Sequence, residues 1–338
     1  MFKKLFESIK KIVQEEYKFI IFLVFLYLVI SFPVNYFITI GGGISDIASR
    51  IKVTDEYKSK GSFNISYVTQ LQGTLFTYGL SKIIPTWESE STDNYKYNED
   101  ESVSDINFRS DLDLKTSNGV ATYWAYTLAS KKVEEISSKL YVISTFPEFE
   151  TELRVQDEIL SIDNHSYDTT EEYVKYLQNR TVNDLVKVKV LRNGREEVID
   201  VSLHEDGNRL VLGVALQIVK EYKTDPKVKI NFKANESGPS GGLITTLEIY
   251  NRLTEKDLTK GYKIAGTGTI EGDGSIGEIG GIEHKLLGAV SEDADIFLAP
   301  AGRNYKSAVK FSKKHKLDIK IIEVKNIQDA ITKLEGLK

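Results

Sequence analysis

The stretch Glu236–Leu253, ESGPSGGLITTLEIYNRL, decides how this chain is read. It sets a serine, Ser240, after a proline and among glycines, just ahead of an apolar run at helical spacing. One reading is a helix start, since a serine hydroxyl can satisfy an otherwise unpaired backbone N–H. The other is a nucleophile. N–H groups at a helix N-terminus stabilise a developing negative charge, and flanking glycines let another backbone approach closely. These residues alone leave both readings open.

The surroundings are those of an α/β domain. From Lys227 the pattern alternates: VKINFKA reads as a strand, LITTLEIYNRL as a helix and YKIAGTGTI as a strand. A glycine loop follows, then helix IEHKLLGAV, strand IFLAP, helix YKSAVKFSKKH, strand LDIKIIEV and helix IQDAITKLEGL, the last capped by Asn326. Lys285 lies in GGIEHKLLGA, one turn into its helix and beside Leu286 and Leu287. Most lysines are solvated. A lysine on the apolar edge of a helix loses hydration, which lowers its pKa and makes a neutral amine available. Such an amine can take the proton of a serine hydroxyl. That chemistry suits a chain with no cysteine and four scattered histidines.

Composition excludes several other classes. The 338 residues are 41% hydrophobic with a net charge of -5, so a packed core is expected and general nucleic-acid binding is not. The histidines show no HExxH-like spacing, so no metal site and no cofactor are expected. Gly272-x-Gly274-x-x-Gly277 formally matches a dinucleotide fingerprint, but the chain turns again at Gly280–Gly281 before any helix. No Walker A pattern occurs, so neither a nucleotide nor an internal ATP-driven unfoldase is expected.

Phe19–Ile40, FIIFLVFLYLVISFPVNYFITI, has no charged residue and is long enough to read as a transmembrane signal anchor. Lys3, Lys4, Lys10, Lys11 and Lys18 precede it, which predicts a cytoplasmic N-terminus and an extracytoplasmic remainder at the cell membrane. Beyond it, Gly61–Leu80 reads as strand then helix, Trp87–Ser102 as a polar loop, and Asn118–Ile136 as a helix. No residue set there carries chemistry. Tyr141–Leu203 reads as strand, loop, strand, turn, helix, strand, hairpin and strand. RNG (Arg192–Gly194) forms the hairpin turn, and Asp168–Thr170 caps the helix.

LRVQDEILSIDN (Leu153–Asn164) resembles a characteristic PDZ-domain segment. Gln156 stands where glycine is usual, and no glycine-rich carboxylate-binding loop precedes the second strand. If this module binds peptides, strand addition to a sheet edge is the physical route. GPSGGL around Ser240, TGT at Thr267–Thr269 and GGIEHKLL around Lys285 resemble, in order and spacing, the serine, threonine and lysine motifs of Lon proteolytic domains. Two departures are Ser237, where the family has aspartate, and Gly241, where it has alanine.

The whole layout resembles the membrane-anchored PDZ–Lon-like serine peptidases of bacteria, a group that includes the protease maturing a competence-signalling peptide. The resemblance implies a Ser240–Lys285 dyad, Thr267 orienting the lysine, and backbone N–H groups of Ser240 and Gly241 as the oxyanion hole. The implied architecture is multidomain. It comprises a cytoplasmic N-terminus (1–18), a transmembrane helix (19–40), an extracytoplasmic N-terminal region (41–137), a PDZ-like α+β module (138–204) and a Lon-type α/β proteolytic domain (205–338). The implied activity is ATP-independent endopeptidase cleavage of extracytoplasmic peptides or exposed protein segments, and the family suggests a homo-oligomer. The rival is a catalytically inactive, membrane-tethered peptide-binding scaffold.

Overall fold

The computed structural model of the chain describes residues 2–167 and 169–337. Asp168, one of the expected helix-capping residues, lies outside them. In chain order the elements are α1 (Phe2–Ser31), β1 (Pro33–Asp46), β2 (Ile51–Val53), β3 (Ser62–Thr74), α2 (Leu75–Ser81) and β4 (Glu88–Ser91). Next come α3 (Val103–Leu128), β5 (Lys132–Thr145), β6 (Glu158–Ile162), α4 (Thr170–Leu177), β7 (Leu185–Arg192), β8 (Arg195–Ser202), β9 (His204–Asp206), β10 (Arg209–Val211) and β11 (Val214–Asp225). The remainder is β12 (Val228–Ile230), α5 (Gly242–Leu253), β13 (Lys263–Gly266), β14 (Thr269–Ile270), β15 (Ile276–Gly277), α6 (Ile282–Ser291), β16 (Ile296–Pro300), α7 (Arg303–His315), β17 (Lys320–Val324) and α8 (Ile327–Glu335). The chain forms two compact units. One runs up to Gly41 and takes in Val68–Tyr95; the other comprises Gly42–Tyr67 and everything from Lys96 onward.

The first unit corrects the expected transmembrane helix over 19–40. Helix α1 ends at Ser31, and the chain continues from Pro33 as a strand. Proline lacks an N–H and pushes the preceding residue toward extended backbone, so the apolar run cannot stay helical through it. The charge-free part of the helix is Phe19–Ser31, about 20 Å at ~1.5 Å per residue, against about 30 Å of bilayer core. No helix among the described residues is long and apolar enough to cross a membrane. In the same unit β1 pairs antiparallel with β4, so part of the expected polar loop over 87–102 is a strand. A capping box between Thr74 and Thr77 starts α2.

The second unit holds two cores. In the first, β13 pairs in parallel with β3 and β16, and β16 with β17. Strand residues alternate between the two faces of this sheet. Phe63, Ile264, Ile296 and Leu298 pack with α3, α5 and α8 through Ala121, Ala125, Leu243, Leu247 and Ile331. Ala265, Phe297 and Ala299 pack on the other face with Ile282, Leu286 and Ala289 of α6 and Ala308 of α7. Helix α3 starts earlier than the expected helix over 118–136 and ends at Leu128. The residues from Lys132 are strand, paired along their length with β11.

The second core belongs to an antiparallel sheet of order β11-β5-β6-β7-β8, on which Tyr173 and Leu177 of α4 pack. Its β7–β8 hairpin turns at Asn193 and Gly194, with φ of 51° and 75°, the left-handed pair that a two-residue turn requires. Thr169 caps α4 through a box with Glu172. Strand β11 is an edge of this sheet and leads on through β12 to the serine loop.

Candidate active site

Ser240 sits where Pro239 and the two following glycines turn into α5. Three bonds fix the turn. The Ser240 carbonyl accepts the Gly268 N–H at 2.8 Å and the Thr267 hydroxyl at 3.1 Å, and the Leu243 N–H donates to the Gly268 carbonyl at 3.1 Å. Helix α3 braces the other side. The Ser117 hydroxyl donates to the Pro239 carbonyl at 3.2 Å, and the Gly238 N–H donates to the Ser110 carbonyl at 2.9 Å.

Close approach explains the second glycine. A Cβ on Gly242 would lie 2.6 Å from the Ser117 hydroxyl and 2.9 Å from the Ile270 backbone nitrogen. A Cβ on Gly241 would meet only the flexible end of Ile65, at 2.8 Å. Alanine is therefore tolerable at 241 and excluded at 242. Among the described residues, the N–H groups of Ser240 and Gly241 donate to no acceptor, which leaves them free to hold an oxyanion.

Lys285 enters from α6. Its side chain is 4% exposed and its amine donates to the Thr267 hydroxyl at 3.2 Å. Thr267 is fully buried. Its single hydroxyl proton goes to the Ser240 carbonyl, so its oxygen lone pairs face the lysine. The three residues form a chain from amine to hydroxyl to serine backbone. Among the described residues the Ser240 hydroxyl makes no hydrogen bond to Lys285 itself, a common state of catalytic pairs without substrate. Burial pushes the Lys285 amine down to about 8, with no charged neighbour contributing.

The Ser237 departure is also resolved locally. Ser237 is exposed, while the adjacent Glu236 is tied to Arg50 through both carboxylate oxygens, each 3.0 Å from the guanidinium Nε. Burial works against the Glu236 charge. The Arg50 hydrogen bond and the Lys233 N–H outweigh it and hold the group below the usual carboxylate range. The carboxylate nearest Ser240 in sequence is thus committed to the loop. The glycines at Gly272–Gly277 lie at and within the β14–β15 hairpin instead of opening a helix.

The structure brings the three expected residues Ser240, Thr267 and Lys285 together through the two contacts of the Thr267 hydroxyl. Sequence reasoning missed the supporting wall: Ile65 of β3 and Ser110 and Ser117 of α3, all from a region read as carrying no chemistry. It also missed Leu212–Gly213, with Gly213 at φ 72°, which leads into the edge strand β11. A glycine loop was sought ahead of the second strand. Gly213 instead packs against Phe149, whose Cβ would lie 2.7 Å from a Cβ placed there.

The chain thus joins an α/β domain, with a serine at a helix N-terminus and a buried lysine, to an antiparallel sheet module. Comparison with known families makes this layout specific. Residues 130–203 match the PDZ domain model. Residues 220–335 match the Lon protease (S16) C-terminal proteolytic domain. The chain therefore carries both domains, which supports a PDZ–Lon-like protease, and the S16 match supports a serine peptidase.

Solved structures similar to the chain include the PDZ domains of SdrC-like proteins from Listeria monocytogenes and Listeria innocua. They are 20% and 23% identical, cover 25% and 23% of this chain and 92% of each structure, and give TM-scores of 0.23 and 0.22. A protein from Geobacillus thermodenitrificans is 27% identical over 23% of this chain and 94% of its own, with a TM-score of 0.21. At these scores the likeness carries no argument. No curated protein matches the chain.

Proposed function

We propose that the chain is an ATP-independent serine endopeptidase in which Ser240 is the nucleophile and Lys285 the general base. One observation carries this reading. The buried Lys285 amine is bound to the Thr267 hydroxyl, which is bound to the Ser240 carbonyl, so base and nucleophile share one short chain of contacts. Neutral Lys285 takes the Ser240 proton as the oxygen attacks a peptide carbonyl. The Ser240 and Gly241 N–H groups receive the negative charge on the carbonyl oxygen. The protonated amine then gives its proton to the leaving peptide nitrogen, and water hydrolyses the acyl-enzyme.

Peptide segments are the substrate class that fits this reading. Strand addition is the physical route for a peptide, and among the described residues no strand pairs with the outer edge of β11. A cavity of about 630 Å³ lies beside it, bounded by Val120 and Tyr123 of α3 and Ile218 and Tyr222 of β11. With no Walker A pattern in the chain, stable domains are outside its reach and exposed or unfolded segments are not. The proposed location is the membrane. Large apolar side chains of α1 from Phe19 to Ile30 are exposed, including Phe25 at 62%, and exposed apolar surface of this extent marks an interaction site. Lys3, Lys4, Lys10, Lys11 and Lys18, which precede this apolar run, add attraction to an anionic membrane surface.

The test is cleavage of a mixed peptide pool by the full chain without ATP, read by mass spectrometry, with Ser240→Ala and Lys285→Ala alongside. Cleavage by wild type alone supports the reading, and equal cleavage by all three contradicts it. Membrane fractionation and protease accessibility of intact cells test the location.

A further inference from the structure

The hydrogen-bond inventory around Lys285 is incomplete. A neutral amine has two N–H donors and one lone pair. For the lone pair to face the Ser240 hydroxyl, both donors must be directed elsewhere. Thr267 takes one, at 3.2 Å, and among the described residues Lys285 has no second acceptor.

A buried hydroxyl with no partner lies next to Thr267. Ser66 of β3 is 0% exposed, and its Oγ has no hydrogen-bond partner among the described residues. An orphaned hydroxyl in a packed interior is costly and calls for a reason. Its position supplies one. Strands β3 and β13 are parallel, with Ile65 opposite Gly266, so the next pair in register is Ser66 and Thr267. Phe63 and Ile65 face the α3–α5 side, as their packing with that core shows. Alternation turns Ser66 to the opposite face, which also carries Ala265 and is covered by Ile282 and Leu286 of α6. Thr267 and the Lys285 amine meet on that face.

We propose that Ser66 is a positioning residue for Lys285: its hydroxyl accepts the second N–H of the amine, aims the lone pair at Ser240, and supports the ammonium formed when the proton is transferred. This rests on the assignment of Lys285 as base. It adds a third hydroxyl to the site, contributed by a strand far from the serine and lysine motifs in sequence. Among the described residues no charged group contributes to the lowering of the Lys285 amine, which comes from burial.

The test follows the Lys285 side chain by heteronuclear NMR titration in the full chain, with the signal assigned by its loss in Lys285→Met. Cleavage of a peptide that wild type cuts is measured in parallel. In Ser66→Ala the ammonium loses a charge-assisted acceptor. The titration midpoint should fall from about 8 by about one unit, and kcat by about tenfold with KM unchanged. Ser66→Thr keeps the hydroxyl and should return both toward wild type; it also serves should the alanine variant fail to fold. A merely structural serine would lower thermal stability and leave the midpoint in place. An unmoved midpoint in Ser66→Ala, with Lys285→Met inactive, overturns the role of Ser66 and leaves the base intact. A wild-type midpoint in the ordinary lysine range would instead remove the base assignment itself.

Discussion

Two buried cations in the same unit are treated in opposite ways. Arg109 of α3 is held by Glu101, with Nη2 to Oε2 at 3.2 Å, and its guanidinium lies 3.9 Å from the Tyr97 ring centre. The Glu101 carboxylate also accepts the Tyr97 N–H at 2.6 Å. Lys285 is as deeply buried, and among the described residues it has no ion-pair partner, its amine donating to the Thr267 hydroxyl. A buried charge normally requires a counter-charge, as Arg109 has. Where none is provided the group lowers its pKa, and for lysine that yields a base near neutral pH. The contrast separates a cation that fastens the structure from one that is kept ready to lose its proton.

The largest effect that sharpens this contrast is on catalysis. Ser240→Ala and Lys285→Ala should each lower the cleavage rate by at least about 10⁴-fold. Lys285→Arg should do the same, because a guanidinium stays charged and cannot accept the proton. Glu101→Ala should act on stability instead. It strands the Arg109 charge and should cost about 3–5 kcal/mol in chemical denaturation, while the remaining folded protein keeps its kcat.

Next comes the converse substitution. Lys285 has a folded pKa of about 8, below the unfolded value of about 10.4, so below pH 8 the amine is charged in both states and its burial opposes folding. Between these values the unfolded chain binds the extra proton, and stability rises with pH. Lys285→Met should therefore be more stable than wild type by about 3 kcal/mol at pH 7, a gain that shrinks toward zero by about pH 10.5. Denaturation midpoints of the two proteins across that range would show it. A gain independent of pH would mean that packing, and not the unpaired charge, separates them.

The candidate trio was legible because each member sits in a local pattern: glycines around Ser240 and Lys285, and a TGT turn at Thr267. Ser66 and Ser117 were not. A serine in a strand or helix interior has no local signature, and their importance arises only when β3 and α3 close over a loop more than a hundred residues away. The hairpin at Asn193–Gly194 was legible from two adjacent residues that must both adopt positive φ. Phe19–Ile40 misled because hydropathy reports composition over a window, whereas Pro33 decides where the helix stops. Leu212–Gly213 escaped because chain order and spatial order differ around the antiparallel sheet.

The pH dependence of kcat/KM for a cleaved peptide tests the central claim most directly, because it reports the ionisation of the free enzyme's base. The account predicts low activity below neutrality, a single rise centred at about pH 8, and retention of activity above it. Maximal activity well below neutrality, lost as the solution becomes alkaline, would contradict a neutral Lys285 as the base.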